Sequence, residues 1–150
     1  MTNQDLRLVI DRTTHSLRFV RLLAATPEEA FAAWTEPEQV AAWWDPAGQR
    51  LAECRIDLRP GGAFLFRTAA ASHAFSGVYR EIAPPERLVF DANGAVGTVR
   101  FETAGEATRM TVTIDCGTAE NLEQYLRIGV DTGTARTLDN LVAFARAPKR

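Results

Sequence analysis

Two proline-marked helix starts, close together near the N-terminal end, are the feature that most constrains the fold of this chain. TPEE at 26–29 and TEPE at 35–38 each bring a polar residue, a proline for the first helical turn and nearby acids. They predict two short helices, the second running through Trp44 and ended by Pro46 and Gly48. All three tryptophans fall between residues 31 and 48.

After residue 50 the apolar residues recur with a period of two, which is typical of strands. LAECRIDL at 51–58 is the first such segment, and others follow at intervals of about a dozen residues between turns such as RPGG at 59–62 and NG at 93–94. Another strand, 17–26, precedes the two helices. Residues 1–12 fit either an extra edge strand or a loose arm. The pattern predicts an antiparallel meander.

The last segment, from residue 119, returns to helical spacing and predicts a long C-terminal helix. Gly129 and Gly133 interrupt it, and each glycine costs about 1 kcal/mol relative to alanine in a helix. Two explanations stay open: a break or bend near Gly129, or close approach of a bulky group to the helix.

Composition limits the classes of function. A chain of 150 residues with 46% hydrophobic and 24% charged residues fits one globular domain, 1–150. The net charge of −2 and the absence of a basic run argue against nucleic-acid binding. No apolar run approaches the ~20 residues that span a bilayer, and the N-terminus does not resemble a signal peptide. Cys54 and Cys116 lack CxxC spacing, so we expect reduced thiols and a cytoplasmic location.

The elements therefore follow the order strand, two short helices, six meander strands and a long helix. Within that order four runs resemble the START-like (SRPBCC) superfamily, in its branch named for the activator of heat-shock-protein ATPase homologues. The runs are AATPEEAFAAWTEPEQVAAWWDPAG, LRPGGAFLFR, GVYREIAPPERLVF and TGTARTLDNLVAFA. The resemblance covers Leu17 to Ala145. It implies an α+β helix-grip fold, in which a curved antiparallel sheet of about seven strands wraps around the C-terminal helix and encloses an apolar cavity.

Two departures from the family pattern matter. Asp45 stands where the family often has glycine, and we expect it to add a charge at the cavity rim. The eukaryotic activator that gives the branch its name has a separate N-terminal domain, for which 150 residues leave no room. Co-chaperone activity is therefore not carried over from the resemblance.

Aromatic and small residues supply the candidate ligand site. Aromatics usually fill cores, but the helix-grip resemblance makes a lined pocket an equal alternative, and glycines such as Gly77 and Gly97 are expected to leave space. At most one of two neighbouring tryptophans can point straight into the cavity, because helical neighbours differ by about 100°. The predicted ligand-binding residues are Trp34, Trp43, Trp44, Phe66, His73, Phe75, Tyr79, Phe90, Phe101, Tyr125 and Gly129.

No complete catalytic constellation is visible, so no catalytic residue is predicted. His73 is expected on the strand face that also carries Tyr79 and Glu81, either as a hydrogen-bonded loop-edge residue or as a polar group that reaches a ligand. His73 and Glu81 are separated by ~26 Å of strand rise, too far to cooperate directly. The two histidines and two cysteines show no ligand spacing, so we expect no metal and no cofactor.

Three functional hypotheses follow. The favoured one is binding of a small hydrophobic or amphipathic molecule between the sheet and the C-terminal helix. The second is an enzyme, since START-like relatives include polyketide cyclases, and it predicts polar side chains with perturbed pKa values at the cavity floor. The third is a protein-interaction module, acting on a chaperone or as a homodimer. The sequence favours binding over catalysis and leaves the ligand open.

Overall fold

Eight antiparallel strands form one sheet in the computed structural model, which describes residues 8–70 and 74–147. The strands are β1 (Leu8–Asp11), β2 (Ser16–Leu23), β3 (Glu53–Ile56), β4 (Ala63–Arg67), β5 (Phe75–Ala83), β6 (Arg87–Ala92), β7 (Ala95–Ala104) and β8 (Ala107–Asp115). The helices are α1 (Pro27–Thr35), α2 (Pro37–Trp43), α3 (Ala119–Arg127) and α4 (Val130–Arg146). The strand order is β1-β2-β8-β7-β6-β5-β4-β3. The predicted α+β architecture is confirmed.

The first strand of the sheet accounts for the difference from the expected count of about seven. β1 pairs antiparallel with β2, with Leu8 opposite Phe19 and Asp11 opposite Ser16. The extra-edge-strand interpretation of 1–12 is therefore correct for the part that the structure describes, and residues 1–7 lie outside it. β2 then pairs with β8, which closes the meander back onto the first long strand.

Both predicted helix starts are present, and they are capped differently. The Thr26 hydroxyl accepts from the Glu29 backbone N–H at 3.1 Å, and the Glu29 carboxylate accepts from the Thr26 N–H at 2.9 Å, a reciprocal capping box. Glu36 is the N-cap of α2 and makes no such side-chain bond. The capping box therefore fixes the start of α1. Helix α2 follows α1 after a single residue, Glu36.

The C-terminal segment is broken at Gly129, which decides between the two explanations of its glycines. Gly129 has φ +82°, a left-handed conformation that glycine adopts without steric cost, and it separates α3 from α4. Gly133 stays inside α4. The C-terminal segment therefore consists of two helices, α3 and α4, which are joined at Gly129.

A buried arginine fixes α4 on the sheet. Arg21 occupies an inward position of β2 and is 6% exposed. Its guanidinium donates to the Asp139 carboxylate at 2.9 Å and to the Ala135 carbonyl at 3.5 Å, both in α4. Sequence reasoning missed this contact because an arginine in a strand is usually exposed.

The alternation predicted for β5 is wrong from Arg80 onward. Tyr79 lies opposite Phe90 but Glu81 lies opposite Val89, so Arg80 is an extra residue, a β-bulge. The bulge reverses the faces: Glu81 leaves the Tyr79 face and pairs with the Arg87 guanidinium at 2.7 Å. Glu81 therefore does not share the interior with Tyr79 as the sequence predicted.

Candidate functional site

A cleft of about 530 Å³ lies between the sheet and the two C-terminal helices. Strands β5 to β8 form one wall, α3 and α4 form the other, and α1 and α2 contribute two tryptophans. The residues around it are Trp34, Trp44, Pro46, Phe75, Phe90, Ala92, Asn93, Ala95, Gly97, Val112, Ile114, Gln124, Tyr125, Ile128, Val130, Gly133, Thr134, Thr137 and Leu138. We call this space the cleft.

The two walls of the cleft differ in chemistry. The strand residues in the lining are aromatic, aliphatic or glycine, whereas the helices add Gln124, Thr134 and Thr137. The Thr137 hydroxyl donates to the Trp44 carbonyl at 3.0 Å, which ties α4 to the end of α2. None of the lining residues just named carries a charge. The cleft can therefore hold an apolar body and offer hydrogen bonds from its helical side.

The sheet wall is filled above two of its glycines, contrary to the expectation that they leave space. A Cβ atom at Gly97 would lie 2.5 Å from Cζ of Phe90, and one at Gly77 would lie 2.6 Å from Cζ of Phe64. Each phenyl ring thus occupies the space next to a strand position without a side chain, and at Gly77 the Asp91 carbonyl oxygen lies closer still. Gly133 differs, because a Cβ atom there would meet no atom within 4 Å.

The two adjacent tryptophans face different ways. Trp43 is 1% exposed, and its indole N–H donates to the Ala33 carbonyl at 3.0 Å inside the core. Trp44 is half-buried, lines the cleft, and packs on Phe75 with ring centroids 5.2 Å apart. Of the pair, Trp44 is the one that faces the cleft.

Asp45 does not add a charge to the rim. It is 6% exposed, and its carboxylate accepts from the Ala47 backbone N–H at 2.9 Å. Its carbonyl accepts from the Asn140 side chain at 2.9 Å. Asp45 therefore serves as a turn residue that helps to hold the end of α2 against α4.

The structure brings some of the predicted site residues together and separates others. Those that line the cleft are Trp34, Trp44, Phe75, Phe90 and Tyr125. Those that do not are Trp43, Phe66, Tyr79, Phe101 and Gly129, and His73 lies outside the described residues. Phe101, for example, packs edge-to-face on Phe31 at 6.0 Å within the core. A ligand-binding role for each of these residues remains a prediction.

A second, much smaller space, the inner chamber, adjoins the cleft and has a volume of about 10 Å³. Its lining residues are Trp34, Trp44, Phe64, Phe66, Phe75, Tyr79, Leu88 and Phe90. Four of them, Trp34, Trp44, Phe75 and Phe90, also line the cleft. These four rings consequently form the boundary between the two spaces.

Tyr125, which also lines the cleft, links α3 to the sheet. Its hydroxyl donates to the Asn93 carbonyl at 2.5 Å, in the hairpin turn between β6 and β7. Burial, with a smaller contribution from Cys116, raises the pKa of Tyr125. Beside it Ile128 is 69% exposed, an apolar side chain at the cleft mouth that sequence reasoning did not single out.

Sequence reasoning also missed Thr134, although a signal for it was present. Val130, Gly133, Thr134, Thr137 and Leu138 all line the cleft, and their spacing of three and four residues is that of one helix face. The same periodicity, applied to the predicted C-terminal helix, could have pointed to Thr134.

Neither cysteine has the properties of a nucleophile. Burial raises the pKa of Cys54 to about 11, and burial also raises the pKa of Cys116. Both thiols are free. Within 8–70 and 74–147 no three His, Cys, Asp or Glu side chains cluster in a way that could hold a metal ion. In the same ranges no helix is long and apolar enough to span a membrane.

Comparison with known proteins agrees with this architecture. The family model described as "Activator of Hsp90 ATPase homolog 1-like protein" matches residues 24–146. The chain belongs to this family. The match includes α1 through α4 and all strands that line the cleft, and it confirms the branch indicated by the sequence. Comparison with curated proteins finds no match.

Solved structures share the fold at low sequence identity. A protein from Rhodobacter sphaeroides matches with TM-score 0.78 and 23% identity over 89% of this chain and 93% of its own. A protein from Arthrobacter aurescens gives TM-score 0.81 and 19% identity over 95% and 92%. One from Rhizobium leguminosarum gives TM-score 0.67 and 26% identity over 87% and 93%. These structures thus share the fold with this chain while most residues differ.

Proposed function

We propose that the protein binds a small hydrophobic or amphipathic molecule in the cleft. The observation that carries the proposal is the cleft itself, about 530 Å³ between the sheet and α4. Clefts of ~300–1,000 Å³ with apolar walls and a few polar groups are the usual form of small-molecule sites.

The chemistry of the lining supports an uncharged ligand body. Apolar burial contributes ~25 cal/mol per Å² before the costs of association. With no charged residue among the lining residues, an ionised group inside the cleft would lose its hydration without a partner. Thr134 and Gln124 on the helical wall supply hydrogen bonds for polar edges of the molecule.

Titration with prodan, a fluorescent naphthalene that carries a ketone, tests this proposal. Binding in the cleft should shift prodan emission and quench tryptophan fluorescence, because Trp34 and Trp44 line the cleft. It should also raise the melting temperature, since a ligand that binds only the folded state stabilises it. Saturating probe without any change in either signal, repeated over a panel of neutral polycyclic compounds, would refute the proposal.

Binding is better supported than the polyketide cyclase-like alternative. An acid/base mechanism needs several polar groups that converge on the ligand. Among the lining residues of the inner chamber Tyr79 is the one with an ionisable side chain, and the bulge at Arg80 turns Glu81 away from it. No observation on the described residues specifically favours a chaperone-interaction module.

The proposal also covers the location, the partners and the oligomeric state of the protein. We propose a protein that works in the cytoplasm with its thiols reduced, without nucleic acid, membrane or cofactor, and that can form a homodimer. Analytical ultracentrifugation tests the homodimer: a single monomeric species at high protein concentration would exclude it.

A further inference from the structure

The inner chamber contains a buried polar group that the rest of the fold leaves unused. Tyr79 is 3% exposed and lines the chamber. Its ring packs on Phe64 with centroids 5.1 Å apart. Among the described residues no polar side-chain atom is both fully buried and without a hydrogen-bond partner, so the Tyr79 hydroxyl, which bonds to no described residue, keeps some accessible surface. Tyrosine hydroxyls in largely buried positions usually have a partner, and this one is available to a group that enters the chamber.

We propose that the inner chamber is a subsite for one uncharged oxygen atom of the ligand, a carbonyl or hydroxyl oxygen that forms a hydrogen bond with the Tyr79 hydroxyl. This inference rests on the proposed function and names the class of ligand: an apolar molecule ending in a ketone, aldehyde or alcohol. Its body lies in the cleft, and its oxygen passes between the boundary rings.

The size of the chamber sets the limit of one oxygen. Its volume of about 10 Å³ is close to the ~10–15 Å³ that a single water requires. A larger group would have to displace a ring of the boundary. Trp44, Phe75 and Phe90 are the half-buried members of that boundary, whereas Trp34 is 6% exposed, so these three have more room to adjust.

The walls of the chamber select an uncharged oxygen. Seven of its eight lining residues are aromatic and the eighth is Leu88, so no cation is present to pair with a carboxylate. Burial raises the pKa of Tyr79 far above neutrality, with a smaller contribution from Cys54, so the hydroxyl keeps its proton and can donate it. A neutral acceptor satisfies that donor without bringing an unpaired charge into an apolar space.

The test compares two probes on two proteins. The probes are prodan and its analogue with a propyl group in place of the propionyl group, so that only the carbonyl oxygen is removed. Tyr79→Phe should weaken prodan binding about tenfold, since a hydrogen bond contributes roughly 1.4 kcal/mol at the upper end. The same variant should leave the affinity for the propyl analogue within about twofold.

Tyr125→Phe is the matched control. It removes a tyrosine hydroxyl from the cleft lining instead of the inner chamber, and that hydroxyl already donates to Asn93, so its loss should affect both probes alike. If Tyr79→Phe changes both affinities equally, or changes neither, the subsite is overturned while the proposed function stands. If the wild-type protein binds neither probe, the subsite is overturned, and the proposed function is overturned as well when no neutral polycyclic compound of the panel binds.

Two further measurements do not depend on the folding of the variant. In the wild-type complex the infrared carbonyl stretch of bound prodan should fall below its value in an apolar solvent, and an unshifted band would overturn the hydrogen bond. A naphthalene with a carboxylate in place of the ketone should bind the wild-type protein more weakly than prodan. Tighter binding of the carboxylate would overturn the uncharged class.

Discussion

Replacing Gly133 by leucine should close the cleft and stabilise the fold at the same time. A side chain at this position starts in open space, since no atom lies within 4 Å of its Cβ, and it extends into the lining. Gly133 is the fourth residue of α4 (Val130–Arg146). Exchange of an interior helix glycine for leucine recovers roughly 0.8 kcal/mol, which corresponds to a rise of about 2–3 °C in melting temperature for a domain of this size.

The effect on ligand binding should have the opposite direction. The leucine side chain occupies part of the space that the probe needs, so we expect prodan affinity to fall at least about tenfold, the equivalent of about 1.4 kcal/mol. Gly133→Ala should give the same stabilisation with little loss of affinity. Thermal unfolding followed by circular dichroism and prodan titration measure the two quantities on the same samples.

Ala143→Leu is the control, because Ala143 is an exposed position of the same helix and its substitution should not change prodan affinity. A lower melting temperature for Gly133→Leu would show that the cleft wall is not open at this residue. Unchanged prodan affinity together with the expected stabilisation would show that the probe binds elsewhere, and the cleft would lose its place in the proposed function.

Four other outcomes follow from the helix cap, the buried arginine and the buried Cys54 thiol. Thr26→Ala removes the capping box of α1 and should lower the free energy of unfolding by about 1 kcal/mol in urea titration; no change would mean that the box contributes nothing. Asp139→Ala leaves the buried Arg21 guanidinium without its carboxylate. The free energy of unfolding should fall by about 1–2 kcal/mol, a value lowered for solvent screening because the Asp139 side chain is half-exposed. A loss below the error of the urea titration would contradict the role of Arg21 as a link between β2 and α4. The raised pKa of Cys54, about 11 against 9.0, predicts alkylation by iodoacetamide about 100-fold slower at neutral pH in the folded than in the unfolded protein. Because the folded state holds this proton more tightly, stability should fall between about pH 9 and 11, and less steeply in Cys54→Ala; equal slopes would refute the assignment.

Much of the fold could be predicted because its signals are local. The TPEE run sets the start of α1 through the side chain of Thr26 and the ring of Pro27, which act on neighbouring backbone groups. Such features are visible in a few consecutive letters. The left-handed turn at Gly129 also involves only the backbone of that residue, but the sequence left a break there as one of two explanations.

The parts that could not be predicted depend on contacts between distant segments. Alternation placed Glu81 beside Tyr79, and nothing in β5 alone reveals the bulge, which appears only in the register against β6. The filling of the space above Gly97 by Phe90 likewise requires the pairing of two strands. The family resemblance therefore implied a cavity-forming fold, but the sequence did not indicate which of the inward aromatics would line the cleft.

The Phe90 ring covers the strand at Gly97, a position without a side chain, so the size of residue 90 sets the depth of the cleft. Positions 90 and 97 are coupled, because a side chain at 97 would collide with the Phe90 ring. A larger residue at 97 therefore requires a smaller side chain at 90. Shortening Phe90 alone would uncover the strand backbone and deepen the space on the sheet side without moving any main-chain atom. Such a scaffold can change the depth of its cleft by one or two substitutions, while the strands, the bulge and the broken C-terminal helix remain as they are.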